Sequence, residues 1–123
     1  MVGKYNYIDK GSGKVIILLH GLMGAVSNFE DTINRLPKHG YRVILPMLPI
    51  YNMSMLKTNV HQLANFVNKF TEDLNINEFS VLGNSLGGHV GLILSLKYPK
   101  KIKKLILSGS SGLYENTLGG KFP

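Results

Sequence analysis

The sequence of 123 residues contains no cysteine, which excludes a disulfide-stapled scaffold, a zinc ribbon and a cysteine nucleophile together. Long apolar runs are also missing: none approaches the ~20 residues that cross a bilayer. The opening residues, Met1 to Gly13, lack the apolar core of a secretory signal, so a soluble cytoplasmic protein is the expectation. Arginine is scarce, at Arg35 and Arg42 alone. That scarcity weighs against a nucleic-acid reading of the formal net charge of +7, because arginine is the preferred phosphate reader. The densest basic cluster, Lys97, Lys100, Lys101, Lys103 and Lys104, surrounds the expected end of a helix, where cations suit the macrodipole. Neither nucleic acid nor a membrane is expected as a partner. There are no repeats and no internal boundary, and the length suits one domain.

What is present alternates between strand and helix signals. Lys4 to Asp9 reads as a half-exposed edge strand, followed by a glycine turn, Lys10 to Lys14, taken as a hairpin into the next strand. That turn lacks the spacing of a phosphate loop. Val15 to Leu19 is a continuous β-branched and aliphatic run, as in a parallel strand buried on both faces. Phe29, Ile33 and Leu36 mark a short helix ended by Pro37 and Gly40. Arg42 to Leu48 is a third strand, and a longer helix is expected from Ser54, as N-cap, to Asp73. His61 lies beside its apolar stripe and reads as a surface residue. Phe79 to Leu82 is a fourth strand, Leu86 to Tyr98 a helix, and Lys104 to Ser108 a fifth strand. Buried strands joined by helices give an α/β architecture with a mostly parallel sheet flanked by helices.

Two glycine-rich loops fall at the carboxyl ends of strands, where open α/β sheets place ligands. The first is His20-Gly21-Leu22-Met23-Gly24. The second, Gly83-Asn84-Ser85-Leu86-Gly87, is a G-x-S-x-G segment between a strand and a helix. Passing from strand to helix in about two residues strains the central backbone and crowds the positions on either side, so Gly83 and Gly87 suit a sharp elbow with Ser85 at its tip. The same spacing fits a plain βα turn whose serine caps the helix. The flanking strand and helix favour a nucleophile.

With both loops in their order, the chain resembles the α/β-hydrolase fold family, in its branch of small serine hydrolases. The resemblance covers nearly all of the chain but only the N-terminal half of the family's domain, so residues 1–123 read as a single partial domain. It implies Ser85 as nucleophile and the backbone N–H groups of Leu22 and Leu86 as the oxyanion hole, with His20, Gly21, Gly24, Gly83 and Gly87 shaping the loops. The implied reaction is hydrolysis of an ester, thioester or related carbonyl through an acyl-enzyme, with no cofactor and no metal. A non-catalytic binding protein and a hydrolase or lyase of C–C bonds are the alternatives. Serine at the elbow argues against the haloalkane dehalogenase and epoxide hydrolase branches, whose nucleophile is a carboxylate.

The family's acid and histidine follow later strands than this chain contains. All four histidines, His20, His39, His61 and His89, precede Ser108, and His89 would lie along the helix body rather than over the Ser85 hydroxyl. Glu115, the only acid after the last strand, is expected in solvent. The expectation is therefore half of a catalytic domain, whether as a truncation, a cleavage product near Gly119-Gly120-Lys121 or one of two chains. The partners implied are an acyl substrate and the missing C-terminal half. Alone, the chain is expected to be inactive and poorly stable.

Overall fold

A computed structural model describes residues 5–21, 29–49 and 60–109. Five strands form one sheet: β1 (Tyr7–Lys10), β2 (Lys14–Leu19), β3 (Tyr41–Pro46), β4 (Phe79–Asn84) and β5 (Ile102–Ser108). Three α-helices accompany them: α1 (Glu30–Arg35), α2 (Val60–Asp73) and α3 (Leu86–Lys97). A 3₁₀ turn, Leu36–His39, carries Pro37 and ends at Gly40, whose φ of 89° is left-handed. The Ser54 cap expected for α2 lies outside the described residues.

The sheet order is β1-β3-β2-β4-β5. Among the described strands only β1 runs antiparallel, against β3; β3, β2, β4 and β5 run parallel to one another. This corrects the expected hairpin. The turn around Gly11 and Gly13 does not pair β1 with β2 but carries the chain past the start of β3. A side chain at Gly11 would collide with the Tyr41 carbonyl and Pro37, and one at Gly13 with the Gly40 carbonyl. The glycines thus serve a close approach to a neighbouring strand rather than a two-strand turn. Arg42 then clasps Asp9 through Nε at 3.0 Å and Nη2 at 2.8 Å, fixing β1 beside β3.

Period-two alternation assigns the two faces of the sheet. Ile17, Leu19, Ile44, Phe79 and Val81 face α2 and α3 in one cluster, which includes the fully buried Phe70. Leu18, Val43 and Leu45 face the other way, against Phe29 and Ile33 of the α1 region. Burying each such side chain contributes about 1.5–3 kcal/mol. The α2 stripe is Leu63, Ala64, Val67, Phe70 and Thr71, recurring at helical spacing. Tyr5 and Tyr7 close over Phe70 with edge-on rings at 4.9 and 5.2 Å.

α3 approaches the sheet through glycine. A Cβ at Gly87 would strike the Leu19 carbonyl, and one at Gly91 would sit 3.1 Å from Val81 and 2.9 Å from Leu105. β5 starts two residues earlier than expected and has no fully buried residue, so it is not one of the buried strands. Ile106 on this edge is 51% exposed and Leu96, on α3, 77% exposed. Among the described residues, no helix is long and apolar enough to cross a membrane.

Candidate active site

The parallel pairing of β2 with β4 sets the site. Leu19 pairs with Gly83 at the ends of the two strands, so His20-Gly21 and Asn84-Ser85 leave the sheet side by side. Ser85 sits between β4 and α3 with φ 58° and ψ −123°, a conformation that non-glycine residues occupy only where the surroundings hold them. Those surroundings are visible. The Ser85 N–H donates to the Ser108 carbonyl at 3.0 Å, and the Ser85 carbonyl accepts from Gly88 N–H at 2.9 Å and His89 N–H at 3.4 Å. Across the turn, a Cβ at Gly83 would lie 2.5 Å from the Gly87 carbonyl oxygen and 2.6 Å from the Gly88 Cα. Only glycine permits that closeness.

The Ser85 side chain makes no capping hydrogen bond to α3. The capping reading therefore finds no support, because a capping serine would spend its hydroxyl on the helix N–H groups. Leu86 begins α3, and the first N–H groups of a helix have no carbonyl one turn back to bond.

Gly21 faces the serine directly. A Cβ placed on it would stand 2.9 Å from the Ser85 Cβ and 3.2 Å from its Oγ. His20, 5% exposed, has both ring nitrogens engaged: Nδ1 lies 2.7 Å from the Gly21 carbonyl oxygen, and Nε2 accepts the Leu48 N–H at 2.8 Å. A carbonyl only accepts, so Nδ1 is the donor and the ring is neutral with its proton there. Leu22 and Gly24 lie outside the described residues, as does Glu115.

The structure therefore brings His20, Gly21, Gly83, Ser85, Leu86 and Gly87 into one place. The remaining histidines are elsewhere: His39 and His61 are exposed on other elements, and His89 is half-buried along α3. Beside the elbow, on the α1 side, a cavity of about 320 Å³ is lined by Phe29, Thr32, Leu82, Asn84 and Ser108. Sequence reasoning missed Ser108 and Leu48 as supports. The strand signal of Lys104 to Ser108 held a clue to the first, since a fifth strand parallel to and beside the fourth ends next to it.

The lysine cluster is largely engaged within the fold. Lys97 bonds Asn65 at 2.7 Å, Lys101 bonds Asn68 at 2.6 Å and Glu72 at 3.0 Å, and Lys103 pairs with Glu78 at 3.6 Å. Lys97 and Lys101 also lie over the Tyr98 ring, an aromatic set within the cluster itself. Among the described residues, no three His, Asp or Glu side chains group as a metal site would require.

A mostly parallel sheet with a strained serine at a strand-to-helix elbow defines an α/β-hydrolase architecture, and comparison with known proteins agrees. The chain belongs to the alpha/beta hydrolase fold family, matched over residues 14–120. It is similar to the 2-hydroxy-6-oxo-6-phenylhexa-2,4-dienoate hydrolase of Burkholderia cepacia, 37% identical in an alignment of 112 positions that covers 85% of this chain and 39% of that protein. It is equally similar to the 2-hydroxy-6-oxononadienedioate/2-hydroxy-6-oxononatrienedioate hydrolase of Comamonas testosteroni, 38% identical over the same shares of the two chains. Among solved structures, an alpha/beta hydrolase enzyme from the sediment metagenome of the Mar Chica lagoon, Morocco, superposes with a TM-score of 0.83 at 43% identity, covering 95% of this chain and 53% of that one. The chain spans about two fifths of the length of the curated relatives it matches.

Proposed function

We propose that this chain supplies the nucleophile and oxyanion half of a serine hydrolase site. Ser85 attacks a carbonyl carbon, its proton passing to a histidine outside this chain. The oxyanion is held by the Leu86 N–H and the Leu22 N–H, donors fixed before charge develops, each worth about 3 kcal/mol in the transition state. The acyl group leaves as the free acid once water attacks the acyl-serine. The observation that carries this reading is the Ser85 backbone at φ 58° with its hydroxyl free of capping duty, next to Gly21. His20 is not the base, because both its nitrogens are already bonded.

Two substrate classes are in play: esters or thioesters, and ketones cleaved at a C–C bond. The relatives' names favour the second. A 2-hydroxy-6-oxo-dienoate contains no ester or amide, so its hydrolysis breaks a carbon–carbon bond beside the ketone. Attack on the 6-oxo carbon gives the acid on one side, and the carbon fragment departs after taking a proton. A non-catalytic binder keeps the same fold but requires no acid and histidine opposite Ser85.

The missing half of the domain is the proposed partner, covalent or as a second chain. Exposed Ile106 on β5 and Leu96 on α3 support this, together with a cavity of about 520 Å³ lined by Ile16, Ser80, Lys104 and Ile106. Parallel sheets are normally covered on both faces. The test is a substrate panel of p-nitrophenyl esters, acyl thioesters and a 6-oxo-dienoate, assayed on the completed domain with Ser85→Ala as control. Turnover lost in Ser85→Ala supports the reading; turnover that survives it refutes the reading.

A further inference from the structure

We infer that the edge strand β5 controls the nucleophile: the Ser108 carbonyl is a positioning group for Ser85, and whatever docks on β5 governs how readily Ser85 attacks. This rests on the Ser85 reading above and adds regulation to it, because the missing half then acts on the nucleophile itself as well as supplying its base.

Ser85 is anchored at both ends of its backbone. Its carbonyl accepts from the Gly88 and His89 N–H groups in the first turn of α3, and its N–H donates to the Ser108 carbonyl at 3.0 Å. Peptide units are planar, so the first anchor fixes the plane after Ser85 and the second fixes the plane before it. Together they hold φ at 58° and thereby choose where the hydroxyl points. With either plane free to turn, a non-glycine residue relaxes out of this sparsely allowed region.

The two anchors are unequal. α3 is packed into the core through Gly87, Gly88, Val90, Gly91 and Leu94. β5 has no fully buried residue; Leu105 meets α3 at Gly91, while Ile106 is 51% exposed. Elements with few buried contacts open locally at lower cost than core elements, so β5 is the anchor that yields first. Its register also matters. Phe79 pairs with Ile102 but Val81 with Leu105, so β5 carries one extra residue at Lys103-Lys104, and Asn84 comes to face Ser108. Without that bulge Leu107 would face Asn84, and a different residue would end beside the elbow. Bulges of this kind re-aim groups next to functional sites.

The test runs in the completed domain and reads three quantities: the rate of Ser85 phosphonylation by a fluorophosphonate probe, hydrogen exchange at the Ser85 amide relative to that of Ile17 in β2, and melting temperature. Leu105→Ala loosens β5 three residues before Ser108, Leu105→Val does so more mildly should the alanine variant not fold, and Leu105→Met refills the space. Val67→Ala removes buried volume from α2 instead. If β5 sets the elbow, the smaller side chains at 105 speed Ser85 exchange relative to Ile17 by roughly tenfold and slow labelling by up to about 100-fold. Leu105→Met restores both, and Val67→Ala lowers the melting temperature with neither change. Labelling that follows melting temperature wherever the volume is removed, or a Ser85 amide that exchanges in step with Ile17 in the Leu105 variants, overturns the inference. Labelling that persists in Ser85→Ala would instead sink the serine reading itself, so the two failures are distinguishable.

Discussion

A single methyl group added at Gly21 should disable Ser85 without replacing it. In Gly21→Ala the new Cβ would stand 2.9 Å from the Ser85 Cβ, 3.2 Å from Oγ and 3.4 Å from the Asn84 carbonyl oxygen. Relaxed carbon contacts lie at about 3.5–4.0 Å, so roughly 0.6–1 Å must be found. Ser85 cannot retreat easily, because its N–H is bonded to Ser108 and its carbonyl to the first turn of α3. The displacement therefore falls on the geometry between the two loops, where ~1 Å costs about 100-fold in rate. Overpacking of this kind also costs about 1–3 kcal/mol of stability. Gly91→Ala is the matched control: its Cβ meets Leu105 Cδ1 at 2.9 Å and Val81 Cγ1 at 3.1 Å, on the same helix but two turns' packing away from the hydroxyl. Phosphonylation kinetics and thermal melts on both variants separate the effects. The reasoning is refuted if Gly21→Ala labels at the wild-type rate, or if Gly91→Ala loses rate by as much.

Three further predictions concern the scaffold. The Tyr5 hydroxyl is pushed up from 10.0 to about 12, first by burial and then by its hydrogen bond to Asp73. Because the folded value is the raised one, its stabilisation is complete below pH 10.0 and is lost as pH rises towards about 12. Tyr5→Phe should remove that alkaline loss in pH-dependent melts. The same hydrogen bond, first among the causes, holds Asp73 below the usual carboxylate range, so its contribution is present above that range and lost as pH falls; Tyr5→Phe should shrink the acid-side loss as well. Phe70→Ala, which empties the fully buried centre under Tyr5 and Tyr7, should cost about 3–5 kcal/mol in denaturant titrations. Ile106→Lys should raise the solubility of the isolated chain with its melting temperature unchanged, yet destabilise the completed domain if the proposed partner half covers that face. Equal effects in both settings would contradict the proposed covering of β5.

Much of the fold was legible because its signals are local. Val15 to Leu19 and Phe79 to Leu82 read as strands and are so, the first fully buried from Ile17 to Leu19 and the second at Phe79 and Val81. Gly83, Ser85 and Gly87 announced the elbow because a sharp turn restricts which residues fit. Strand order was not legible at the amino end. Gly11 and Gly13 look like a hairpin turn, and only contacts with Tyr41, Pro37 and Gly40 of the 3₁₀ turn and β3 show why β1 passes β2 and pairs with β3. The start of β5 at Ile102 was hidden by Lys103, whose charge is tolerable because the strand lies at an edge. The tether from His20 to Leu48 spans 28 residues and leaves no mark in either stretch. Site residues carried by the motif could be named in advance, whereas those that support it from neighbouring strands could not.

Mapping a fluorophosphonate adduct by peptide mass on the completed domain bears most directly on the central claim, that the elbow presents Ser85 as a nucleophile. The account predicts one modified residue, Ser85, with the adduct absent in Ser85→Ala. An adduct on another residue, or the same mass gain in Ser85→Ala, would contradict it.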